Sequence, residues 1–260
     1  MAKHPCECCG HRTLDDPPGG TYQICPVCFW EDAPFAEDPS CQISSNGVTL
    51  REAQRNYSKF AAAAEDFKNN VRPPHDYELR DPDWLDLDTL TVISRDALLA
   101  EIEKVFRGVN RDGGVSLHET EGIDQHHSEK GLAPLRAKDT DQCWQDIRHE
   151  DLAEVCGIGG IAFFDPIGWR YHLPAYMTWY LQGGEHSDSV AASNLIYSLT
   201  PSEGKWNHLR SKDIERYESL NTAQSVAVAS FLRHVLRYGE DEFDKQYMAK
   251  AIDIYWHQFV

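Results

Sequence analysis

Cys6 and Cys9, followed by Cys25 and Cys28, give the spacing C-x2-C-x15-C-x2-C, at which four thiolates can close on one divalent ion. Each C-x2-C pair must turn tightly for its two sulfurs to converge, and Gly10 after Cys9 and Pro26 inside the second pair suit such turns. The pattern points to zinc in a structural role, because four thiolates fill a tetrahedral shell and leave no position for water or substrate. Cys8 lies between the first two and stands as an alternative ligand in place of Cys6 or Cys9. Disulfides are the competing use of these thiols, but they need an oxidising compartment, and no apolar secretory segment follows Met1. His4, His11 and Cys41 fall outside the spacing and read as surface or packing residues.

Other reactive side chains are less well arranged. His118, Glu119, Glu121, Asp124, His126 and His127 crowd the polar stretch 111–136, where they are the candidates for a second metal or catalytic cluster. Adjacent His126 and His127 are poorly spaced for one ion, and no H-E-x-x-H helix is present, so an exposed loop is expected there. Cys143 and Cys156 could each serve as a nucleophile beside His149 or His172. The sequence has no G-x-S-x-G elbow, P-loop or dinucleotide fingerprint; Gly157-Ile158-Gly159-Gly160 lacks the required order and reads as a turn.

The elements that must carry these residues are mostly helical. Thr49 and Glu52 form a capping box, and Leu50, Ala53, Tyr57, Phe60 and Ala61 recur at helical spacing, predicting a helix that packs on the knuckles and runs to Asn69. Val71-Arg72-Pro73-Pro74-His75 blocks its continuation. A second helix is expected from Ser94, with Leu98, Leu99, Ile102, Val105 and Phe106 on one face and Gly108 at its end. Further helices are expected in the aromatic stretch Asp165 to Leu181, with Pro174 opening a new one, after the cap Asn221, and from Asp241 to Phe259. Few stretches alternate with period two, so the fold class is mainly α: a small zinc-knuckle, ribbon-like module with one helix, then a larger helical domain. The expected boundaries are 1–70 for the module, 71–93 for an acidic Pro/Asp-rich linker and 94–260 for the helical domain.

Two resemblances rest on specific runs. Cys6-Glu7-Cys8-Cys9-Gly10-His11, Gly20 to Asp32 and Asn46 to Ala53 resemble the bacterial cysteine-rich CPCC domain family over residues 1–65, with Glu7 where that family carries proline. The resemblance implies a small zinc-binding module with no established activity. Phe164 to Tyr176, Leu195 to Pro201 and Ser230 to Arg233 are similar to an uncharacterised bacterial helical domain family over residues 95–240. Its members commonly place cysteines in the loop that here reads Ile123-Asp124-Gln125-His126-His127, so no metal role carries over to this loop.

Charge narrows the function. A formal charge of -17, from 42 acidic and 25 basic side chains, opposes phosphate-backbone binding as the main task and favours a basic partner. The knuckle loops hold Lys3 and Arg12 against Glu7, Asp15, Asp16, Glu31 and Asp32, which disfavours nucleic acid there as well. No run of eighteen apolar residues occurs, so no membrane span is expected. The resulting expectation is a non-catalytic, cytoplasmic, protein-binding protein, an immunity protein that neutralises a basic bacterial toxin or effector. The alternatives are a zinc-knuckle adaptor that docks protein or nucleic acid, and an enzyme of unassigned chemistry.

Overall fold

Thr49 starts the first helix as the sequence requires. In the computed structural model, which describes residues 3–34, 45–155, 157–187, 189–239 and 241–260, Thr49 is extended and its hydroxyl accepts from the Glu52 amide at 3.2 Å. The helix α1 (Leu50–Phe60) buries Leu50 and Ala53 but stops at Ala61, which turns left-handed at φ 60°. It therefore ends nine residues short of Asn69. The physical reason is the knuckle beside it: the Ala63 amide donates to the Cys28 carbonyl at 2.7 Å, and Asn56 holds the Ala63 carbonyl at 3.0 Å. Those bonds pull the chain out of the helix.

The chain divides into two units, Met1–Ser94 with Arg237–Glu242, and Arg95–Leu236 with Phe243–Val260. In the first, β1 (His4–Pro5) pairs antiparallel with β2 (Arg12–Leu14) across the first knuckle. A small core gathers the buried cysteines with Leu14, Val27, Trp30, Leu50, Ala53 and Leu87. The division between the units falls within α2 (Leu87–Val105). This helix begins seven residues before Ser94, because Asp86 caps it: the Asp86 carboxylate accepts from the Thr89 amide at 2.7 Å and its carbonyl from Leu90 at 2.9 Å.

The second unit is helical. It contains α3 (Leu117–Asp124), α4 (Glu129–Arg136), α5 (His149–Val155), α6 (Pro166–Leu181), α7 (Ala191–Leu199), α8 (Arg210–Glu218), α9 (Thr222–Tyr238, to its last residues) and α10 (Glu242–Ile254, after its first). Helix α6 runs through the middle of the core and buries Trp169, Tyr171, Leu173, Tyr176, Met177 and Tyr180. Asp165 caps it by accepting from the Gly168 amide at 2.9 Å, with Pro166 in the first turn; Pro174 lies inside the helix and opens none. Asn221 caps α9 as expected, accepting from Gln224 at 2.9 Å.

Residues 111–136 are not the loop the sequence suggested. Ser116 and Ser128 precede α3 and α4, and Glu119 reaches back to the Ser116 amide at 3.1 Å, so a serine three residues before a glutamate was the missed signal. Buried aromatics use their polar atoms on backbone carbonyls: Trp144 on Phe106, Tyr217 on Ser198, and Trp256 on Leu199.

Candidate metal centre

The two knuckles repeat one backbone design. In the first, the Cys6 amide donates to the His11 carbonyl at 2.9 Å and the Gly10 amide to the Cys6 carbonyl at 2.8 Å; in the second, Cys25 donates to Trp30 and Phe29 to Cys25, both at 2.8 Å. Each knuckle therefore puts the residue after its second cysteine in the left-handed region, Gly10 at φ 75° and Phe29 at φ 66°. Glycine adopts that geometry freely, whereas phenylalanine is strained there. Phe29 packs its ring 4.9 Å from Phe67.

The ligand atoms of Cys6, Cys9, Cys25 and Cys28 lie within 4.8 Å of one another, all buried. Cys6 and Cys28 sulfurs are 3.6 Å apart, and those of Cys9 and Cys25 are 3.7 Å apart. A tetrahedron with metal–sulfur bonds of about 2.3 Å has edges of about 3.8 Å, so these four side chains fit one ion. Cys8 is also fully buried but stays outside the group of four. Burial pushes the Cys6 and Cys28 thiols well above their ordinary range, while hydrogen bonds from Cys28, Cys6 and Cys9 draw Cys25 down. Four thiolates at this spacing need a cation to coexist. The Thr13 hydroxyl approaches the Cys25 sulfur at 3.1 Å, a support of the kind that orients a ligand from behind.

Neighbouring segments brace the cluster. Asp32 is 1% exposed and accepts from the amides of Gly19, Gly20 and Thr21 and from the Thr21 hydroxyl, at 2.5–3.1 Å. Burial opposes its ionisation, but these bonds win and hold its carboxyl below the usual range. Sequence reasoning counted Asp32 as surface charge; it organises the loop between the knuckles. The stretch 71–86, read from sequence as linker, lies on the knuckles: Arg72 donates to the Pro26 carbonyl, Arg80 to Cys9, Trp84 to Glu7, and Glu78 accepts Arg72 at 2.6 and 2.7 Å.

The remaining candidates do not join this centre. His118 pairs with Asp139, whereas His126 and His127 are exposed. Cys143 is half-buried and its thiol is pushed up by burial and by Asp146, against nucleophilic use. His172 is buried in the core against Phe164. Cys41 and Cys156 lie outside the described residues.

Residues 94–260 match a family of unknown function, DUF6714, and residues 4–78 match the family described as cysteine-rich CPCC. The chain belongs to the DUF6714 family. Its DUF6714 portion is joined to the CPCC portion that carries all four clustered cysteines. The CPCC match extends beyond residue 65 to include Glu78, whose carbonyl is met by the His11 ring at 2.7 Å. The DUF6714 match reaches the end of the sequence, past Arg233. No curated protein and no solved structure matches the chain.

Proposed function

We propose that this DUF6714 protein is a cytoplasmic protein-binding protein whose CPCC module is stapled by one structural zinc ion, and that its partner is a basic bacterial toxin or effector which it neutralises. The observation that carries this reading is how the module's cations are spent. Lys3 pairs with Asp15, Arg12 with Asp81, Arg51 and Arg55 with Asp88, Lys68 with Glu65, and Arg72 with Glu78. Of the described cations in residues 3–94 only Lys59 and Arg80 lack a carboxylate partner, so this surface has little to offer phosphate, and the overall charge of -17 favours a basic protein instead. Exposed Tyr22, Ile24, Tyr77 and Leu79 on the same module supply apolar contact area of the kind interfaces use. No helix among the described residues is long and apolar enough to cross a membrane.

Zinc suits four thiolates in a closed shell, which supplies folding free energy and no reactive position. Metal analysis should give one equivalent of zinc per chain. Co-purification from the native host should recover a basic protein whose binding weakens with salt, and expression of the chain should protect cells from it. Recovery of the chain alone, with no sub-micromolar partner and no protection, overturns the reading. Steeply salt-dependent binding to nucleic acid in a gel-shift series overturns it in favour of the nucleic-acid adaptor.

A further inference from the structure

The larger unit holds a cavity of about 410 Å3 lined by α7, α8 and the 3-10 helix Gly157–Phe163. Its walls are mostly apolar, from Ile161, Ala162, Phe163, Leu209 and the Tyr197 ring. That volume and that lining suit a small organic ligand. The charged residues of the lining are Lys212, Asp213 and Arg216, and they do not balance.

Arg216 is nearly buried, and most of its donors are spent. Its Nε and Nη2 donate to the Phe164 carbonyl at 3.2 and 2.8 Å, and Nη2 also donates to that of Ala162. Its Nη1 makes no hydrogen bond among the described residues and is not sealed from solvent. The nearest carboxylate, Asp213, stands 3.8 Å from Nη1, beyond hydrogen-bond reach, and is itself held by the Ser202 amide at 2.9 Å. Burial lowers the pKa of Arg216 below its ordinary value, although Asp213, Asp165 and Glu215 all oppose that shift. The guanidinium is therefore under-compensated. Lys212, four residues earlier on α8, is exposed and has no ion partner among the described residues.

Two cations against one carboxylate leave the lining with a single surplus positive charge, in a chain whose total is -17. That surplus matches a monoanion, whereas Asp213 beside Arg216 penalises the second negative charge of a phosphate. An apolar wall next to these donors calls for a ligand with an apolar body and one acidic end. We propose that this cavity binds a small monocarboxylic acid with an apolar body, its carboxylate held by Arg216 Nη1 and Lys212. The site is independent of the protein-binding reading.

The test uses the full zinc-loaded chain with methyl-labelled isoleucine and leucine, followed by NMR. Titration with 3-phenylpropionate should shift the Ile161 and Leu209 methyls saturably. Its neutral counterpart, 3-phenylpropanamide, should bind about tenfold more weakly, having lost the charge-assisted hydrogen bonds. Lys212→Gln, a change at an exposed side chain, should weaken the acid several-fold and leave the amide unaffected. Arg216→Gln should weaken the acid further. The proposal is overturned if neither methyl responds saturably, if acid and amide bind alike, or if Lys212→Gln leaves the acid's affinity unchanged. Equal shifts at equal affinity with inorganic phosphate overturn it too. The amide comparison and Lys212→Gln decide the matter even if Arg216→Gln, which also disturbs the bonds to Ala162 and Phe164, fails to fold.

Discussion

Trp84 lies flat against Gly10: a Cβ on Gly10 would stand 2.7 Å from Cδ2 of the indole, whose Nε1 donates to the Glu7 carbonyl at 3.0 Å. Two demands therefore meet at one residue, a left-handed turn at φ 75° and the close approach of a ring. Arg80 stacks on the same indole, its guanidinium 4.2 Å from the Trp84 ring and its Nε donating to the Cys9 carbonyl at 3.0 Å. The stretch 71–86, a strap across the first knuckle, thereby holds it by its backbone and not by its sulfurs.

Gly10→Ala should weaken the module strongly. The left-handed turn alone costs a non-glycine residue about 1–2 kcal/mol, and the indole must also move. Metal release to a chromogenic chelator should accelerate several-fold, and the module should melt earlier while the larger unit is unchanged. Unaltered release would show that the strap contributes nothing to the knuckle.

Phe29→Gly tests the same turn in the second knuckle with the opposite balance. Glycine removes the strain at φ 66°, a gain of about 1–2 kcal/mol, but loses the half-buried ring against Phe67, a loss of about 1–3 kcal/mol. The two nearly cancel. Thermal unfolding of the module should shift far less than in Gly10→Ala, and a comparable collapse in both would mean that the Phe29 ring, not the turn, governs this knuckle.

Cys8→Ser and Cys25→Ser separate the spare thiol from the ligands. The sulfurs of Cys6, Cys9, Cys25 and Cys28 already make a closed group without Cys8. Cys8→Ser should keep a full equivalent of zinc. Cys25→Ser should lose it and unfold the module, since a zinc site of this type supplies about 10–16 kcal/mol of binding free energy near pH 7. Metal content of the two purified variants decides between this assignment and one in which Cys8 replaces Cys6 or Cys9.

The knuckles were legible because metal chemistry fixes both residue type and spacing, and caps such as Thr49 and Asn221 were legible because they act within one turn. What escaped depends on distant partners. Helix α1 stops at Ala61 because Ala63 bonds Cys28, thirty-five positions away, and Asp32 is an inward loop organiser only because Gly19, Gly20 and Thr21 return to it. The stretch 71–86 looks like a linker by composition, since prolines and aspartates report local stiffness and polarity but not the Cys9 and Glu7 carbonyls waiting for Arg80 and Trp84. Helices α3 and α4 are a different failure: Ser116 with Glu119 was a readable start, overshadowed by glycines and by a proline that α4 tolerates at position 134.

His172 makes the larger unit acid-sensitive. The ring is fully buried in α6, stacked 4.2 Å from Phe164, with Nδ1 on the Gly168 carbonyl at 2.7 Å and Nε2 unpartnered. Burial lowers its pKa to about 4, against an ordinary value of about 6.5. As pH falls below about 6.5 the unfolded chain takes up a proton that the folded chain refuses, so stability is lost down to about pH 4 and no further from this group. The loss is about 3 kcal/mol for a shift of this size. Urea unfolding of the larger unit in wild type and His172→Phe, compared at pH 7 and pH 4.5, reads it as a difference in which carboxylate effects common to both cancel. The variant, which keeps a ring against Phe164, should lose markedly less stability on acidification; an equal loss in the two proteins would place the acid sensitivity elsewhere, with His234, whose pKa is also lowered to about 4 by burial and by Arg95, as the next residue to replace.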